Sequence, residues 1–278
     1  MFKIPDFSIG SALPEGLAEE VFQILEKRYG DVEDPWGLSL EKSRKTLKYL
    51  WPLYKDYFKV RVFGGENVLD KPYMVTSNHS GQIAIDGMLL SMAFALEISP
   101  PRILRPMVDR FFTSLPWINM ISAHSGAVLG NRQNCHSLLT RGESILVFPE
   151  GVSGVAKSTS EYYNLQKFTS GFVRMALKAN VNILPIAVVG AEEVFPYVYQ
   201  AKGLAKKLGL PALPISPLYL PLPSPIDIYI GQEYVLPDIS PEDPDHIIDE
   251  HVLNIKIQIK EMIDAGLKSR RPFWGNQK

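Results

Sequence analysis

Residues 73–97 read YMVTSNHSGQIAIDGMLLSMAFALE: an apolar run, a polar turn and a second apolar run in immediate succession. The first run, YMVTSN, has the length and composition of a buried strand, and the run from Asp86 onward is long enough for a helix. His79 and Asp86 lie in the turn between them, separated by six residues. Strand, turn and helix in that order form the unit from which α/β proteins are built.

The same alternation extends outward from this stretch. Strands are expected at KVRVFG (59–64), YMVTSN (73–78), RILRPMV (102–108), SILVFP (144–149), NILPIAVVG (182–190) and PIDIYIGQEY (225–234). Helical segments are expected around 86–97, 109–122, 134–141 and 168–180. A further helix near the C-terminus repeats Ile248, Val252, Ile255, Ile259 and Met262 at spacings of four and three. The pattern predicts an α/β fold with a central, mostly parallel sheet flanked by helices. In such sheets ligands bind off the carboxyl ends of the strands, and the His79–Asp86 turn follows a strand directly.

Residues 15–58 carry two helical patterns, one through Leu17, Val21, Leu25 and Tyr29, the other through Leu40, Leu47, Leu50, Trp51, Tyr54 and Phe58. Pro52 is expected to kink or interrupt the second. Lys42, Lys45, Lys48, Lys55 and Lys59 accompany Trp51 and Tyr54, a mixture that suits either a membrane-surface helix or a solvated face over a packed one. The expected organisation is an N-terminal helical, membrane-contacting segment over residues 1–58 and a catalytic unit over 59–278. Residues 203–225 hold six prolines among leucines, which excludes regular helix from most of the segment. Such an apolar loop must bury itself, cover a pocket or touch lipid.

Composition narrows the function classes. The chain has 278 residues, enough for one large domain with an appended subdomain, and its net charge of -1 gives no reason to expect nucleic acid as a partner. The single cysteine, Cys135, excludes an internal disulfide and a multi-cysteine metal site. His124, His136, His246 and His251 are scattered, so neither a metal nor a resident cofactor is expected. No run approaches the roughly 18 uncharged apolar residues of a membrane span. The N-terminus lacks a secretory pattern. The expected location is cytoplasmic, peripheral on the inner face of the membrane.

A histidine at a strand's end can take a proton from a hydroxyl, best when a carboxylate holds its other nitrogen. Asp86 serves if SGQIAI loops back, with Gly81 permitting the turn; otherwise it is the cap of the following helix. A second constellation is SILVFPEGVSG, where Pro149 cannot join a sheet ladder and Gly151 allows a sharp turn, sending Glu150 off the strand toward the same crevice. A third is SGAVLGNRQN, where Arg132 offers a fork for phosphate or carboxylate.

The ordered set NHSGQIAIDG, GAVLGNRQN, LVFPEGVSG and ILPIAVVGAEE resembles the glycerolipid acyltransferases, also called lysophospholipid acyltransferases. It is most similar to bacterial members akin to monoacylglycerol and diacylglycerol acyltransferases. The resemblance spans about Val60 to Tyr234. It implies acyl transfer from an acyl thioester, on coenzyme A or an acyl carrier protein, to a hydroxyl of a lipid acceptor at a membrane surface. It also implies His79 as base and Asp86 as its partner. Phe148, Pro149, Glu150 and Gly151 would hold the acceptor, Arg132 would lie near its phosphate, and Lys157 would contact a headgroup or the donor. Oxyanion donors are expected from the turn around Ser80 and Gly81, or from a helix start. Two features depart from the family's commoner pattern. Six residues rather than four separate His79 and Asp86, and Val152 stands where a threonine usually follows FPEG. The six-residue spacer fits the monoacylglycerol-type branch better than a lysophosphatidate acceptor. The rival readings are a hydrolase or thioesterase using Ser80 or Ser153, and a non-catalytic lipid-binding protein.

Overall fold

The computed structural model describes residues 10–30, 33–80, 85–109, 122–196, 199–201, 214–215 and 220–271. Two helices come first. In α1 (Glu15–Tyr29) the side chains of Ala18, Val21, Phe22 and Leu25 are buried, at the three- and four-residue spacing of one helix face. In α2 (Leu40–Pro52) the Ser39 side chain caps the start by accepting the Lys42 N–H, and Ser43, Leu47 and Trp51 are buried. Pro52 ends α2 without breaking the path of the chain. It brings no N–H, and the next turn, Leu53–Tyr57, widens to a π-helix in which the Phe58 N–H reaches the Leu53 carbonyl at 2.9 Å. Tyr54 and Phe58 are thereby kept fully buried.

The remainder alternates as expected. In chain order come β1 (Arg61–Phe63), β2 (Tyr73–Ser77), α3 (Ile85–Leu96), β3 (Leu104–Val108), β4 (Val128–Leu129), α4 (Arg132–Thr140), β5 (Ser144–Val147), α5 (Val152–Val155) and α6 (Gly171–Ala179). Next are β6 (Asn182–Val189), β7 (Tyr199–Gln200), β8 (Pro214–Ile215), β9 (Asp227–Ile230) and α7 (Asp245–Lys268). Seven strands form one sheet in the order β1-β9-β6-β2-β5-β3-β4, while β7 and β8 pair only with each other. The five strands from β6 to β4 run parallel, whereas β9 is antiparallel to β6 and carries β1 parallel to itself. The sheet is mostly parallel, as the alternation predicts. Strand β4 is a departure: its two residues lie in GAVLG, too short for any period to mark. The helix expected over 109–122 falls almost wholly outside the described residues, as does most of the proline segment.

Both faces of the sheet are covered, so its central strands are continuously apolar. All five residues of β2 are buried, and so are Ile183–Val189 of β6. Alternate residues feed opposite layers. Val75, Leu146, Leu184 and Ile186 pack into a cluster with α1, α2 and α3, while Met74, Ile145, Ile183 and Ala187 pack into another with α4, α6 and α7.

The helices of the N-terminal segment therefore turn their apolar stripes into the main core, where Phe22, Trp51 and Tyr54 join Leu89, Leu90 and Phe94 of α3. Several of the lysines meet internal partners: Lys45 bonds Glu41, Lys48 lies 3.6 Å from Glu15, and Lys55 sits over the Trp51 ring. Among the described residues no helix is long and apolar enough to cross a membrane. Replacing Phe22, 1 % exposed, by alanine should cost about 3–5 kcal/mol of whole-protein stability. Urea unfolding should remain a single transition shifted to lower denaturant; a separate early transition would show that α1 folds apart from the sheet.

Candidate active site

The site grows from the carboxyl end of β2. Its pairing with β6 stops at Ser77, and the Asn78 side chain then takes over. The amide donates to the Val188 carbonyl at 3.0 Å and accepts the Val188 N–H at 2.8 Å, pinning the strand end to β6. His79 follows directly on this anchored residue.

The His79 Nδ1 lies 2.7 Å from Oδ2 of Asp86, whose side chain is fully buried. That oxygen also accepts the Ser80 N–H at 2.8 Å, and Oδ1 accepts the Gly87 N–H at 2.7 Å. Asp86 stands in the first turn of α3, where the helix dipole favours a carboxylate. The two sequence readings of Asp86, helix-start residue and histidine partner, thus coincide in one side chain. With the proton on Nδ1, Nε2 carries a lone pair that makes no hydrogen bond among the described residues. The Phe148 ring stacks on the imidazole, centroids 4.0 Å apart and planes within 12°, and fixes its plane. The His79 side chain keeps 13 % of its surface exposed, enough for a ligand to reach it. Gly81 lies outside the described residues.

The second constellation meets the first, in a different manner from the one expected. After β5, Gly151 adopts φ +53°, ψ -142°, a backbone open to glycine, and its N–H closes a turn onto the Phe148 carbonyl at 3.0 Å. The buried Pro149 gives its carbonyl to the Thr169 N–H. Glu150 points inward: Oε1 accepts the His79 N–H at 2.9 Å, and Oε2 accepts the Gln166 N–H at 2.7 Å. Lys157 Nζ lies 3.3 Å from Oε2 of Glu150 and 2.7 Å from Oε1 of Glu192. The charged atoms of Glu150 and Lys157, expected to face a ligand, are buried and meet protein partners. Of the expected oxyanion donors, the Ser80 N–H is spent on Asp86, and the neighbouring His79 N–H is spent on Glu150.

Arg132 is exposed at the start of α4, behind the cap that Asn131 makes to the Asn134 N–H. It lies at the same sheet edge as His79, but β4 stands three strands from β2, roughly 14 Å at the usual spacing. Ser80 is buried with its hydroxyl 3.3 Å from Asp86, and Ser153 is exposed on α5. Among the described residues neither hydroxyl is hydrogen-bonded to the imidazole. Gly154 is a contributor that sequence reasoning missed. A Cβ there would lie 2.7 Å from the His79 Cβ and 2.8 Å from the Glu150 Cβ, closer than real side chains come. Its sequence signal is the second glycine of EGVSG, three residues after Gly151.

Residues 59–189, which hold His79, Asp86, Arg132 and Glu150, match the family described as Acyltransferase. These residues carry an acyltransferase-family domain. An uncharacterized protein of Mycobacterium tuberculosis (strain ATCC 25618 / H37Rv) is 35% identical over 202 residues, 69% of this chain and 56% of its own length. The 1-acyl-sn-glycerol-3-phosphate acyltransferase of Chlamydomonas reinhardtii is 27% identical over 173 residues, 58% of this chain and 50% of its own length. The chain thus spans little more than half the length of these relatives. Among solved structures, the 1-acyl-sn-glycerophosphate (LPA) acyltransferase PlsC from Thermotoga maritima shares the fold with a TM-score of 0.50 and 14% identity, over 90% of this chain and 96% of that one.

The site is backed by a second ionic layer. Arg270, just beyond α7, holds Glu193 through Nε at 3.0 Å and a second nitrogen at 2.8 Å, and the Tyr163 hydroxyl bonds the same carboxylate. Burial alone would raise the Glu193 carboxyl, but the hydrogen bonds from Arg270 and Tyr163 outweigh it and hold it below its ordinary value of 4.5. A lowered carboxyl contributes stability that is present above its unfolded value and lost as pH falls through its folded one. Urea unfolding of wild type and Glu193→Gln should therefore differ most near pH 7, and the gap should close as pH falls below 4.5. A gap independent of pH would mean that the ion pair contributes nothing to it.

Proposed function

We propose that this chain transfers a fatty acyl group from an acyl thioester to a hydroxyl of a glycerolipid or lysophospholipid acceptor. The observation that carries the reading is the 2.7 Å contact between His79 Nδ1 and Asp86, which leaves Nε2 free at a partly open strand end. Nε2 takes the acceptor's hydroxyl proton as the oxygen attacks the thioester carbonyl carbon. The resulting imidazolium is stabilised by the Asp86 carboxylate. As the tetrahedral intermediate collapses, the C–S bond breaks and the leaving thiolate takes the proton back from Nε2. No covalent bond to the protein is needed. Coenzyme A and an acyl carrier protein are the two carriers that fit a thioester donor.

Phe148, stacked on His79, and Gly151, in the turn after β5, are assigned to the acceptor. Arg132 is assigned to the phosphate of an acceptor that carries one, reached from along the sheet edge. The resemblance to the Chlamydomonas 1-acyl-sn-glycerol-3-phosphate acyltransferase supports a glycerolipid acceptor. Acceptor and product are both lipids, so the site is expected to work at a membrane surface, with the chain bound peripherally on the inner face.

The test is thiol release from long-chain acyl-CoA and acyl carrier protein on vesicles. The vesicles contain in turn lysophosphatidate, other lysophospholipids, monoacylglycerol or diacylglycerol, with an acceptor-free control. Wild type should require one acceptor class, and His79→Ala should lose about 10²–10⁴ in rate, the usual worth of a positioned base. Asp86→Asn should lose less, because a misoriented imidazole still reaches the hydroxyl part of the time. Gly154→Ala should lower kcat by up to about 10²-fold by displacing His79. Release without acceptor would make the protein a thioesterase. Release indifferent to His79→Ala would remove the base from the mechanism.

A further inference from the structure

Among the described residues Lys157 is the only lysine classed as buried, with its side chain 3 % exposed. We propose that Lys157 is a positioning residue: by sharing its ammonium between Glu150 and Glu192 it fixes Glu150, and through Glu150 the backbone of His79. The inference rests on the reading of His79 as the base. It gives a role to two residues, Lys157 and Glu192, that the transfer step itself does not use.

The geometry determines how the Glu150 carboxylate is turned. One oxygen receives both the Gln166 N–H at 2.7 Å and the Lys157 ammonium at 3.3 Å, which leaves the other for the His79 N–H at 2.9 Å. The far end of the link is equally fixed. Glu192 takes Lys157 on one oxygen and the Tyr163 N–H on the other. Tyr163 is held at φ +62°, which few non-glycine residues adopt. It is kept there from three sides: its hydroxyl bonds Glu193 and accepts the Gly190 N–H at 3.1 Å, and its N–H bonds Glu192. Arg270 clamps Glu193 from the C-terminal side. The charged groups around the ammonium are thus Glu150 and Glu192, with His79 one contact further out through Glu150, and Asp86, Glu193 and Arg270 beyond that.

Three charged groups this deeply buried tolerate one another only as a set. The side chains of Glu150, Lys157 and Glu192 are 0 %, 3 % and 2 % exposed. A buried charge without a partner is strongly disfavoured, and two carboxylates facing each other cannot both stay ionised easily. Burial raises the Glu192 carboxyl, Lys157 opposes the rise, and the charge of Glu150 adds to it. Without the ammonium, Glu150 and Glu192 would be driven to share a proton or turn apart, and the grip on the His79 N–H would change. A lysine reaching for a headgroup would instead present its ammonium to solvent, which a 3 % exposed side chain does not.

The experiment compares wild type, Lys157→Met and Lys157→Met/Glu192→Gln as full-length chains. It uses the transfer assay above and ¹⁵N NMR of the histidine rings. The chain has only five histidines, so the His79 resonances are assigned by their loss in His79→Ala. Lys157→Met should lower kcat by about 30-fold, within the range for a misplaced group, with the acceptor KM unchanged. Its His79 resonances should shift or broaden. The double variant removes one carboxylate together with the ammonium, and should recover most of kcat and the wild-type His79 signals. A rise in acceptor KM with kcat preserved would overturn the proposal in favour of ligand contact. So would an equal loss in the single and double variants, or an unmoved His79 signal. Should Lys157→Met fail to fold, the double variant decides alone: near-wild-type kcat and His79 signals support the proposal, and loss of both overturns it. If wild type transfers no acyl group, the function fails, while the NMR comparison still decides whether Lys157 positions His79.

Discussion

A carboxylate taken wholly out of water must be given partners, and Asp86 receives them from both sides of the turn it closes. The His79 ring and the Ser80 N–H come from the strand side, and the Gly87 N–H from its own helix. Each is a hydrogen bond to a charged acceptor in a site of low dielectric, where such bonds are strong and their loss is costly. The end of β2 and the start of α3 are thereby locked to one another through a single side chain. The imidazole cannot rotate about χ without giving up the carboxylate or leaving the face of Phe148. Orientation of the candidate base is a consequence of satisfying a buried charge.

The apolar sheet makes such an edge possible. Its central strands bury every side chain to left and right, so polar groups can collect only where the strands end. There the ladder bonds stop, and each orphaned backbone group needs a substitute partner. Asn78 supplies two to Val188, Glu150 supplies one to His79 and another to Gln166, and Glu192 supplies one to Tyr163. The same carboxylates and amides that complete the fold therefore define where the imidazole stands. The opposite edge is built by the same principle. There Arg105, fully buried, answers Asp34 at 2.7 Å and Glu143 at 2.9 Å.

Much of this was legible in the chain. Strands β1, β2, β3, β5, β6 and β9 lie inside runs whose apolar composition marks them, while β4, β7 and β8 escape because two residues have no period. The pairing of His79 with Asp86 was readable because both flank one turn. The inward aim of Glu150 and Lys157 was not, because charge and position off a strand end are the same for a side chain facing a ligand and for one facing a buried partner. Glu192 lies 35 residues from Lys157, and nothing local announces that they meet. The lysine-rich stretch of α2 and the turn after it allowed two readings in sequence. Trp51 and Tyr54, at 6 % and 0 % exposure, are core residues with lysines at their rim. Gly154 was missed because a glycine's value lies in the atom it lacks.

The spacing of the pair follows from how its two members are held. His79 is fixed by the bonds of Asn78 to Val188 and of its own N–H to Glu150, none of which involves the intervening residues. Asp86 is fixed by its place in the first turn of α3, which packs through Leu89, Leu90 and Phe94 into the core. Two anchors set independently can be joined by loops of different length. Lengthening a flexible connection from four residues to six costs only about 0.4 kcal/mol of closure entropy. The 2.7 Å contact is therefore compatible with a spacer of either length. The six-residue spacer thus leaves the pairing of His79 with Asp86 intact.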